Sequence, residues 1–276
     1  MWWLLLTPPA VYLAICAAFY FGQTAMLFPV GQAGRPDPLP GSAERPELVA
    51  GSGERLHGVH IPPARRSGER LLILGFGGNG WNAQSAAIFM ARLFPEADVV
   101  VFHYRGYAPS GGRPAAEALL ADAPLIHDFA REHVRPARTV ALGFSIGSGV
   151  AASLAARRRL DGLILVTPFD SLASVAAGHY PWLPVRLLLG HRMEPAEDLA
   201  GNSTPAAIIA GGRDTLIPAA RTQGLRLAVG NLAYDETIAG AGHNDIYADP
   251  AFPEAMHRAL RAIARARIRS PGSRSR

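Results

Sequence analysis

The sequence predicts an α/β fold class: one domain with a mostly parallel sheet flanked by helices and covered by a small cap, preceded by a single transmembrane helix. Three observations lead to it. Short apolar runs alternate with stretches of helical spacing along most of the chain, which is the pattern of β–α–β units. One predicted strand is followed by a proline-rich segment with few strand signals, which is typical of a cap. No charged side chain precedes Arg35, which is typical of a membrane segment.

The elements follow one another in the order that such a sheet requires. Strands are predicted over residues 48–49, 56–61, 71–74, 98–103, 139–143, 163–167, 206–210 and 233–238. Helices are predicted over residues 82–94, 115–134, 146–158, 218–229 and 252–267. The turn sequence GSGE joins the first two strands into a hairpin. Right-handed crossovers bring the carboxyl ends of the other strands to one edge, where the chemistry of such folds lies.

Residues 1–30 are predicted to be a transmembrane or signal-anchor segment. A helix from about Pro8 to about Phe28 has about 20 residues and is roughly 30 Å long, enough to cross a bilayer core. Cleaved export is the alternative, but a signal peptide normally has a basic start and an Ala-x-Ala-like site, and this segment has neither. We expect a single-pass membrane protein. A periplasmic domain on a bacterial inner membrane is the favoured side, although no basic cluster closely flanks the span.

The rest of the chain divides by composition. Residues 31–46 are rich in proline and glycine and are expected to be a linker. The α/β domain is expected over residues 47–268, with the cap at about 171–203. Residues 269–276 are expected to be a basic disordered tail.

The distribution of charge excludes several classes of protein. All 27 basic residues are arginine, and seven of them lie in the last 19 residues, where no acid is present. Without these seven charges the formal net charge of +5 becomes −2, so the body of the protein is nearly neutral. This pattern favours a basic helix face and a solvated tail near anionic lipid headgroups over a groove for nucleic acid, so no nucleic-acid partner is expected. The single cysteine, Cys16, excludes a disulfide framework and a cysteine-based metal site.

A serine between glycines follows the strand at 139–143. The sequence Gly143-Phe144-Ser145-Ile146-Gly147 fits G-x-S-x-G between a strand and a helix, which is the context of a nucleophile elbow. In that turn the serine hydroxyl projects above the sheet edge, and the N-terminus of the next helix favours negative charge there. The motif alone is also compatible with an ordinary strand-to-helix turn.

Two more polar residues follow later strands. Asp214 comes just after the strand at 206–210, and His243 comes just after the strand at 233–238. A serine hydroxyl needs a base to remove its proton, and the imidazole needs a carboxylate to fix its tautomer. Along the chain these residues come in the order serine, aspartate, histidine. This is the order in which α/β folds with a nucleophile elbow carry the three groups. We predict the triad Ser145, Asp214 and His243, with Asp170 as the rival acid.

The oxyanion hole is expected to use two backbone N–H groups. One belongs to Ile146, the residue after the nucleophile, and the other to the glycine-rich loop after the strand at 71–74. In that loop, GFGGNGWN, Gly78 is the first choice and Asn79 the second. An ordinary glycine-rich turn is the alternative explanation for this loop.

These motifs make the chain resemble the membrane-anchored α/β-hydrolases of the BEM46-like and ABHD13/ABHD17-like type and their bacterial relatives. The resemblance covers most of the chain, in AMLFP, FGGNGWN, YRGYAPSGGRP, GFSIGSG, TPFDSL, HYPWLPVRLLL, GGRDTLIP and GAGHND. It implies the α/β-hydrolase fold. It also implies that the segment YRGYAPSGG braces the oxyanion loop and the elbow, so that Tyr104, Arg105 and Gly106 are structural rather than catalytic. Many relatives have His-Gly where this chain has Gly77-Gly78, a difference that removes no backbone donor.

The residues and the resemblance together predict a serine hydrolase that cleaves a carboxylic ester or thioester through an acyl-enzyme. The anchor and the apolar segment 179–190 point to an acyl or lipid-like small molecule as the substrate. A peptidase or amidase of the same fold and a non-catalytic membrane-anchored binding scaffold are the alternatives. No cofactor is expected. No metal is expected either, because no pair of histidines has metal-ligand spacing with a carboxylate. The natural substrate and the oligomeric state are not determined by the sequence.

Overall fold

The computed structural model describes residues 3–65 and 68–269. Its sheet has eight strands in the order β1-β2-β4-β3-β5-β6-β7-β8. The strands are β1 (Glu47–Val49), β2 (Arg55–Ile61), β3 (Leu71–Phe76), β4 (Asp98–Phe102), β5 (Arg138–Phe144), β6 (Gly162–Val166), β7 (Ala206–Gly211) and β8 (Leu232–Ile238). β1 and β2 form the predicted antiparallel hairpin, β2 is antiparallel to β4, and all other neighbours are parallel. The predicted fold class is confirmed.

The helices cover both faces of the sheet. They are α1 (Trp3–Leu27), α2 (Ala83–Leu93), α3 (Ala116–Val134), α4 (Ile146–Arg157), α5 (Leu172–His179), α6 (Val185–Leu188), α7 (Pro195–Leu199), α8 (Ala219–Ala228) and α9 (Phe252–Arg269). Side chains of α3, α4 and α8 share one core with one face of the strands, and side chains of α2 and α9 share a second core with the other face. Alternation along β5 explains the two cores, since Ala141 points into the first and Leu142 into the second.

Three short helices, α5 to α7, follow β6 in the region where the sequence predicts a cap. α1 contacts α6. After α1 the chain lies against the domain, because the Asn82 and Gln84 side chains at the start of α2 donate to the carbonyls of Gly34 and Asp37. The predicted linker therefore contacts the folded domain in this part of its length. Most of the predicted basic tail, residues 270–276, lies outside the described residues.

Candidate active site

The predicted site residues lie at one edge of the sheet. Gly78 follows β3, Ser145 follows β5, Asp214 follows β7 and His243 follows β8. These four strands occupy neighbouring positions around β6 and run parallel. Their carboxyl ends therefore bring together side chains that are far apart along the chain.

Ser145 sits in a strained turn between β5 and α4. Its φ is +50° and its ψ is −117°, a conformation that costs about 1–3 kcal/mol for a residue with a side chain. Glycines on both sides make the turn possible. A Cβ atom on Gly143 would lie 2.3 Å from the carbonyl oxygen of Gly147, and one on Gly147 would lie 2.2 Å from that of Phe76. The G-x-S-x-G pattern is therefore a steric requirement of this turn.

The three predicted triad side chains form a continuous hydrogen-bonded chain. The Nε2 atom of His243 lies 2.9 Å from the Ser145 Oγ atom, and its Nδ1 atom lies 2.7 Å from the Asp214 Oδ2 atom. The side chains of His243 and Asp214 are only 8% and 6% exposed. With Nδ1–H donating to the carboxylate, Nε2 is free to accept the serine proton.

The loop after β7 fixes the carboxylate. The second oxygen of Asp214, Oδ1, accepts hydrogen bonds from the backbone N–H groups of Leu216 at 3.0 Å and Ile217 at 2.7 Å. This loop, called the acid loop below, also packs closely on the loop after β8 that carries His243. A Cβ atom on Gly211 would lie 2.7 Å from the carbonyl oxygen of Ala241. Asp214 therefore has one oxygen held by backbone and the other directed at the imidazole.

Three backbone donors border the serine. Gly78 lies beside the elbow, since a Cβ atom there would come within 3.7 Å of the Phe144 carbonyl oxygen and 3.8 Å of the Ser145 Cβ atom. In the described part of the chain, the N–H groups of Gly78, Asn79 and Ile146 donate to no protein acceptor. Both candidates for the second donor thus remain available. Ile146 begins α4, so its N–H also lies at the positive end of that helix.

The loop after β4 supports this arrangement. The buried hydroxyl of Tyr104 donates to the Gly77 carbonyl oxygen at 2.9 Å, and that of Tyr107 donates to the Asn79 Oδ1 atom at 3.0 Å. Burial raises the pKa of Tyr107 to about 12, so the phenol remains a donor at neutral pH. Tyr104 thus braces the glycine-rich loop after β3.

Arg105 joins two other parts of the fold. Its guanidinium makes two hydrogen bonds to Asp122 on α3, at 2.7 and 2.6 Å, and a third to Glu54 at 3.0 Å. These contacts join α3 to the turn between β1 and β2. Gly106 follows with a φ of +76°, and a Cβ atom there would lie 2.5 Å from Pro114. Both residues shape the loop after β4.

Comparison with known proteins identifies the family. Residues 71–192 match the family described as alpha/beta hydrolase fold. An uncharacterized protein of Mycobacterium tuberculosis, Rv2307c, is 35% identical over 195 residues, which are 70% of this chain and 69% of that protein. The chain belongs to the α/β-hydrolase family.

A more distant relative and a solved structure are also similar to this chain. The lysophosphatidylserine lipase ABHD12 of Danio rerio is 27% identical over 194 residues, which are 59% of this chain and 50% of that protein. The crystal structure of the α/β-hydrolase GrgF from Penicillium superposes with a TM-score of 0.64 at 18% identity, over 83% of this chain and 100% of the other. At that identity the likeness supports the fold alone.

A largely apolar pocket of about 430 Å³ adjoins the serine of the hydrolase, a volume within the usual range for small-molecule sites. Asn79, Ser145 and Ile146 line it, together with apolar side chains of the cap. Part of its wall comes from α1, through Phe19 and Met26 among others. Of the predicted site residues, Ser145, Ile146 and Asn79 line this pocket. The sequence did not predict that α1 would contribute.

The rival acid has a different partner. The Oδ2 atom of Asp170 lies 3.1 Å from the Nη1 atom of Arg221, and its Oδ1 atom accepts from the backbone N–H of Ser171. Asp214 is the carboxylate that contacts His243. Ser171, whose hydroxyl accepts from the Ser174 N–H, is the residue that caps α5.

A second group of titratable side chains lies outside the pocket. Glu44, His60 and His133 bring three possible metal-ligand atoms within 4.8 Å of one another. Spacing along the chain did not reveal this group, because its members come from three distant segments. Both histidines face the same Glu44 oxygen, His60 at 3.2 Å and His133 at 2.7 Å. An N–H group from each imidazole would satisfy that carboxylate without a metal ion, and the absence of a metal site stays a prediction.

Proposed function

We propose that this α/β-hydrolase is a serine hydrolase that cleaves a carboxylic ester or thioester of an acyl or lipid-like molecule. One observation carries the proposal. A strained serine at the end of β5 is within 2.9 Å of an imidazole whose other nitrogen is 2.7 Å from a buried carboxylate. A nucleophile, a base and an orienting group in this order are what acyl transfer through a serine requires.

In the proposed mechanism the Ser145 Oγ atom attacks the substrate carbonyl carbon. His243 Nε2 takes the hydroxyl proton as the new C–O bond forms, and Asp214 stabilises the resulting imidazolium through Nδ1–H. The carbonyl oxygen becomes an oxyanion, and the N–H groups of Ile146 and Gly78 donate to it. Such preorganised donors each contribute about 10²–10³ in rate in comparable sites.

Collapse of the tetrahedral species releases the leaving group and forms an acyl-enzyme. His243 gives its proton to the leaving alcohol or thiol, so the charge on the imidazole is discharged. A water molecule then attacks the acyl carbon with His243 again acting as base, and the acid product leaves with Ser145 restored. Protein groups and water supply every step.

The acyl or lipid-like substrate class is supported by the lining of the pocket. Apolar side chains from α1, the cap and the acid loop surround the space next to Ser145. A relative that this chain matches over half of its length is named a lysophosphatidylserine lipase. An apolar pocket that starts at the nucleophile favours an acyl chain over a charged peptide.

We also propose that α1 anchors the protein in a membrane. Among the described residues, the segment Pro8–Gln32 is the one helix-containing stretch that is long and apolar enough to cross a bilayer, with a mean hydropathy of 1.6. A core helix of a soluble protein would be mostly buried, whereas only 11% of this segment is buried. The side of the membrane that carries the domain stays a prediction.

Hydrolysis of p-nitrophenyl butyrate by the purified full chain tests the function. The Ser145→Ala variant is expected to lose activity by a factor of about 10⁴ or more, since the nucleophile is removed. Ser153→Ala is the matched control: Ser153 is a buried serine of α4 whose Oγ atom has no hydrogen-bond partner in the described structure. Equal rates for wild type and Ser145→Ala would overturn the proposal.

The same protein separates the alternatives. Hydrolysis of aminoacyl p-nitroanilides in preference to acyl esters would favour a peptidase or amidase. No turnover of either class by a folded wild-type protein would favour the binding scaffold.

A further inference from the structure

Helix α1 has two different faces. Cys16, Phe19, Gln23 and Leu27 recur at intervals of three or four residues, so they lie on one side of the helix. This side is covered: Cys16 is 9% exposed and the polar Gln23 is 6% exposed. The opposite side stays open and apolar, with Phe21 81% exposed.

The covered face of α1 packs on the cap. Gln23 donates from Nε2 to the Leu188 carbonyl oxygen at 3.1 Å, and its Oε1 atom accepts from the Gly190 N–H at 2.7 Å. Phe19 meets Tyr180 edge to face, with ring centroids 5.7 Å apart. A buried amide with donor and acceptor both satisfied indicates a specific contact rather than a chance one.

The pocket next to Ser145 lies between these two elements. α1 supplies Phe19, Gln23, Met26 and Leu27 to its lining, and the cap supplies apolar residues such as Val175. Without α1 this space would have no wall on that side. The helix that could cross a membrane is therefore also part of the substrate pocket.

The contact between α1 and the cap is long. It runs from Tyr12, whose hydroxyl donates to the Trp182 carbonyl oxygen at 3.0 Å, to Thr24, whose Oγ1 atom lies 2.8 Å from the His191 Nε2 atom. At 1.5 Å per residue this is about 18 Å of helix, more than half of the roughly 30 Å of a bilayer core. If α1 enters a bilayer while it keeps these contacts, the adjoining part of the cap enters the apolar layer with it.

The surface of the cap suits that environment. Trp182 is 55% exposed beside α1, and Leu187 is 85% exposed next to the residue that bonds Gln23. Tryptophan favours the membrane interface, and an exposed leucine loses contact with water when it enters lipid. Trp182 and Leu187 thus add exposed apolar side chains to the surface of the cap beside α1, next to the exposed Arg186.

We propose that α1 and the cap together form an acyl-chain binding site that opens toward the bilayer, so that the acyl chain of a membrane lipid reaches Ser145 between them. This inference rests on the proposed function and adds the origin of the acyl chain. Met26 and Leu216 mark the mouth, because both line the pocket and both are about half exposed. Met26 lies on α1 itself, so the mouth adjoins the lipid-facing side of the helix.

Filling the pocket from α1 tests the binding site. The full chain in detergent micelles is assayed with p-nitrophenyl laurate and p-nitrophenyl acetate, and the ratio of the two kcat/KM values is compared. Met26→Trp is expected to lower the laurate-to-acetate ratio at least tenfold, because the larger ring occupies space meant for the chain. Phe21→Trp is the matched control, since it places the same side chain on the exposed face of α1, and it should leave the ratio unchanged.

A second pocket variant and a labelling assay distinguish a filled pocket from a misfolded protein. Val175→Trp fills the opposite wall and should lower the ratio in the same direction, and labelling of Ser145 by a fluorophosphonate shows that each variant retains its site. An unchanged ratio in both labelled variants would overturn the inference while leaving the serine hydrolase intact. A wild type that neither hydrolyses an ester nor takes the label would overturn the proposed function instead.

Opening toward the bilayer is tested with vesicles of phosphatidylcholine that contain a long-chain fluorogenic ester. Leu187→Glu is expected to reduce hydrolysis in vesicles about tenfold while leaving the rate on dissolved p-nitrophenyl acetate unchanged. Leu227→Glu changes an equally exposed leucine on α8, which does not line the pocket, and should have no effect in either assay. Equal vesicle rates for the two variants would show that the cap does not meet the bilayer and would overturn this part of the proposal.

Discussion

Two histidines in this hydrolase are paired with a buried carboxylate. His243 lies 2.7 Å from Asp214 at the carboxyl edge of the sheet, and His60 lies 2.8 Å from Asp98 where β2 meets β4. Both histidine side chains are more than nine-tenths buried. By distance and burial alone the two pairs are nearly the same.

They differ in what surrounds them. The second nitrogen of His243 faces a serine hydroxyl that lines a pocket, whereas the second nitrogen of His60 faces the carboxylate of Glu44. Asp98 is also held by two hydrogen bonds from Arg70, at 2.8 and 2.9 Å. A histidine–carboxylate pair is therefore no sign of catalysis by itself. In the proposed function, the third group and the adjacent cavity distinguish the pair at His243, whereas an ion network surrounds the pair at His60.

Replacing the two aspartates separates the pairs most strongly. Asp214→Asn is expected to lower kcat for ester hydrolysis by about 10³–10⁴, because the amide no longer holds the imidazole in the required tautomer. Asp98→Asn should stay within about twofold of the wild type. The measurement is the initial rate on p-nitrophenyl butyrate, and a large loss of kcat in Asp98→Asn would break the distinction.

Asp98→Asn should change the free energy of unfolding, although it leaves kcat almost unchanged. Asp98→Asn removes the charged partner of Arg70 and His60 and is expected to cost about 2 kcal/mol in the free energy of unfolding at pH 6. Burial alone would raise the pKa of Asp98, but the hydrogen bonds from Arg70 and His60 outweigh it and hold the pKa at about 2. Because this folded-state pKa is below the usual value, the contribution is complete above pH of about 4 and disappears as pH falls through about 2.

Urea unfolding between pH 6 and pH 2.5 measures this. The difference between wild type and Asp98→Asn should narrow as the pH falls. Asp235→Asn is the matched control, since Asp235 pairs with Arg226 at a more exposed site and should cost less than about 1 kcal/mol. A difference for Asp98→Asn that does not depend on pH would contradict the assigned network.

A smaller change in stability is expected from His60 as the pH rises above neutrality. Burial favours the neutral form of His60, but hydrogen bonds to Asp98 and Glu44 outweigh it, so the pKa of His60 is raised above 6.5. A raised folded-state pKa means that the stabilisation is complete below pH 6.5 and is lost as pH rises through the higher value.

The melting temperatures of wild type and His60→Gln should therefore differ more at pH 6 than at pH 9. His57→Gln, on the same strand, controls for loss of a strand histidine. An equal difference at both pH values would show that His60 does not carry this charge.

Most of the sheet, and the strand ends at which the residues of the predicted triad lie, could be derived from the sequence because their signals are local. Short apolar runs that end in glycine define β3 and β5, and the sterics of Gly143 and Gly147 leave few residues able to occupy that turn. The positions of Asp214 and His243 follow from their strands, because all parallel carboxyl ends meet at one edge.

The network around His60 could not be derived in this way. It depends on antiparallel register between β2 and β4, which sets His60 opposite Val100 and near Asp98. A charged residue at the start of the buried run Asp98–Phe102 was the available signal, but it does not specify its partner. Likewise, the apolar composition of α1 predicts that the helix lies away from water. It does not predict that the helix contacts the cap. The polar Gln23 inside that segment was a local hint of a protein partner.

The identity of the nucleophile is the central claim, and peptide mapping after fluorophosphonate labelling tests it most directly. We expect the adduct on the peptide that contains Ser145 in wild type and in Asp98→Asn, slower labelling of the same residue in Asp214→Asn, and no adduct in Ser145→Ala. An adduct on another residue, or undiminished labelling of Ser145→Ala, would contradict the account.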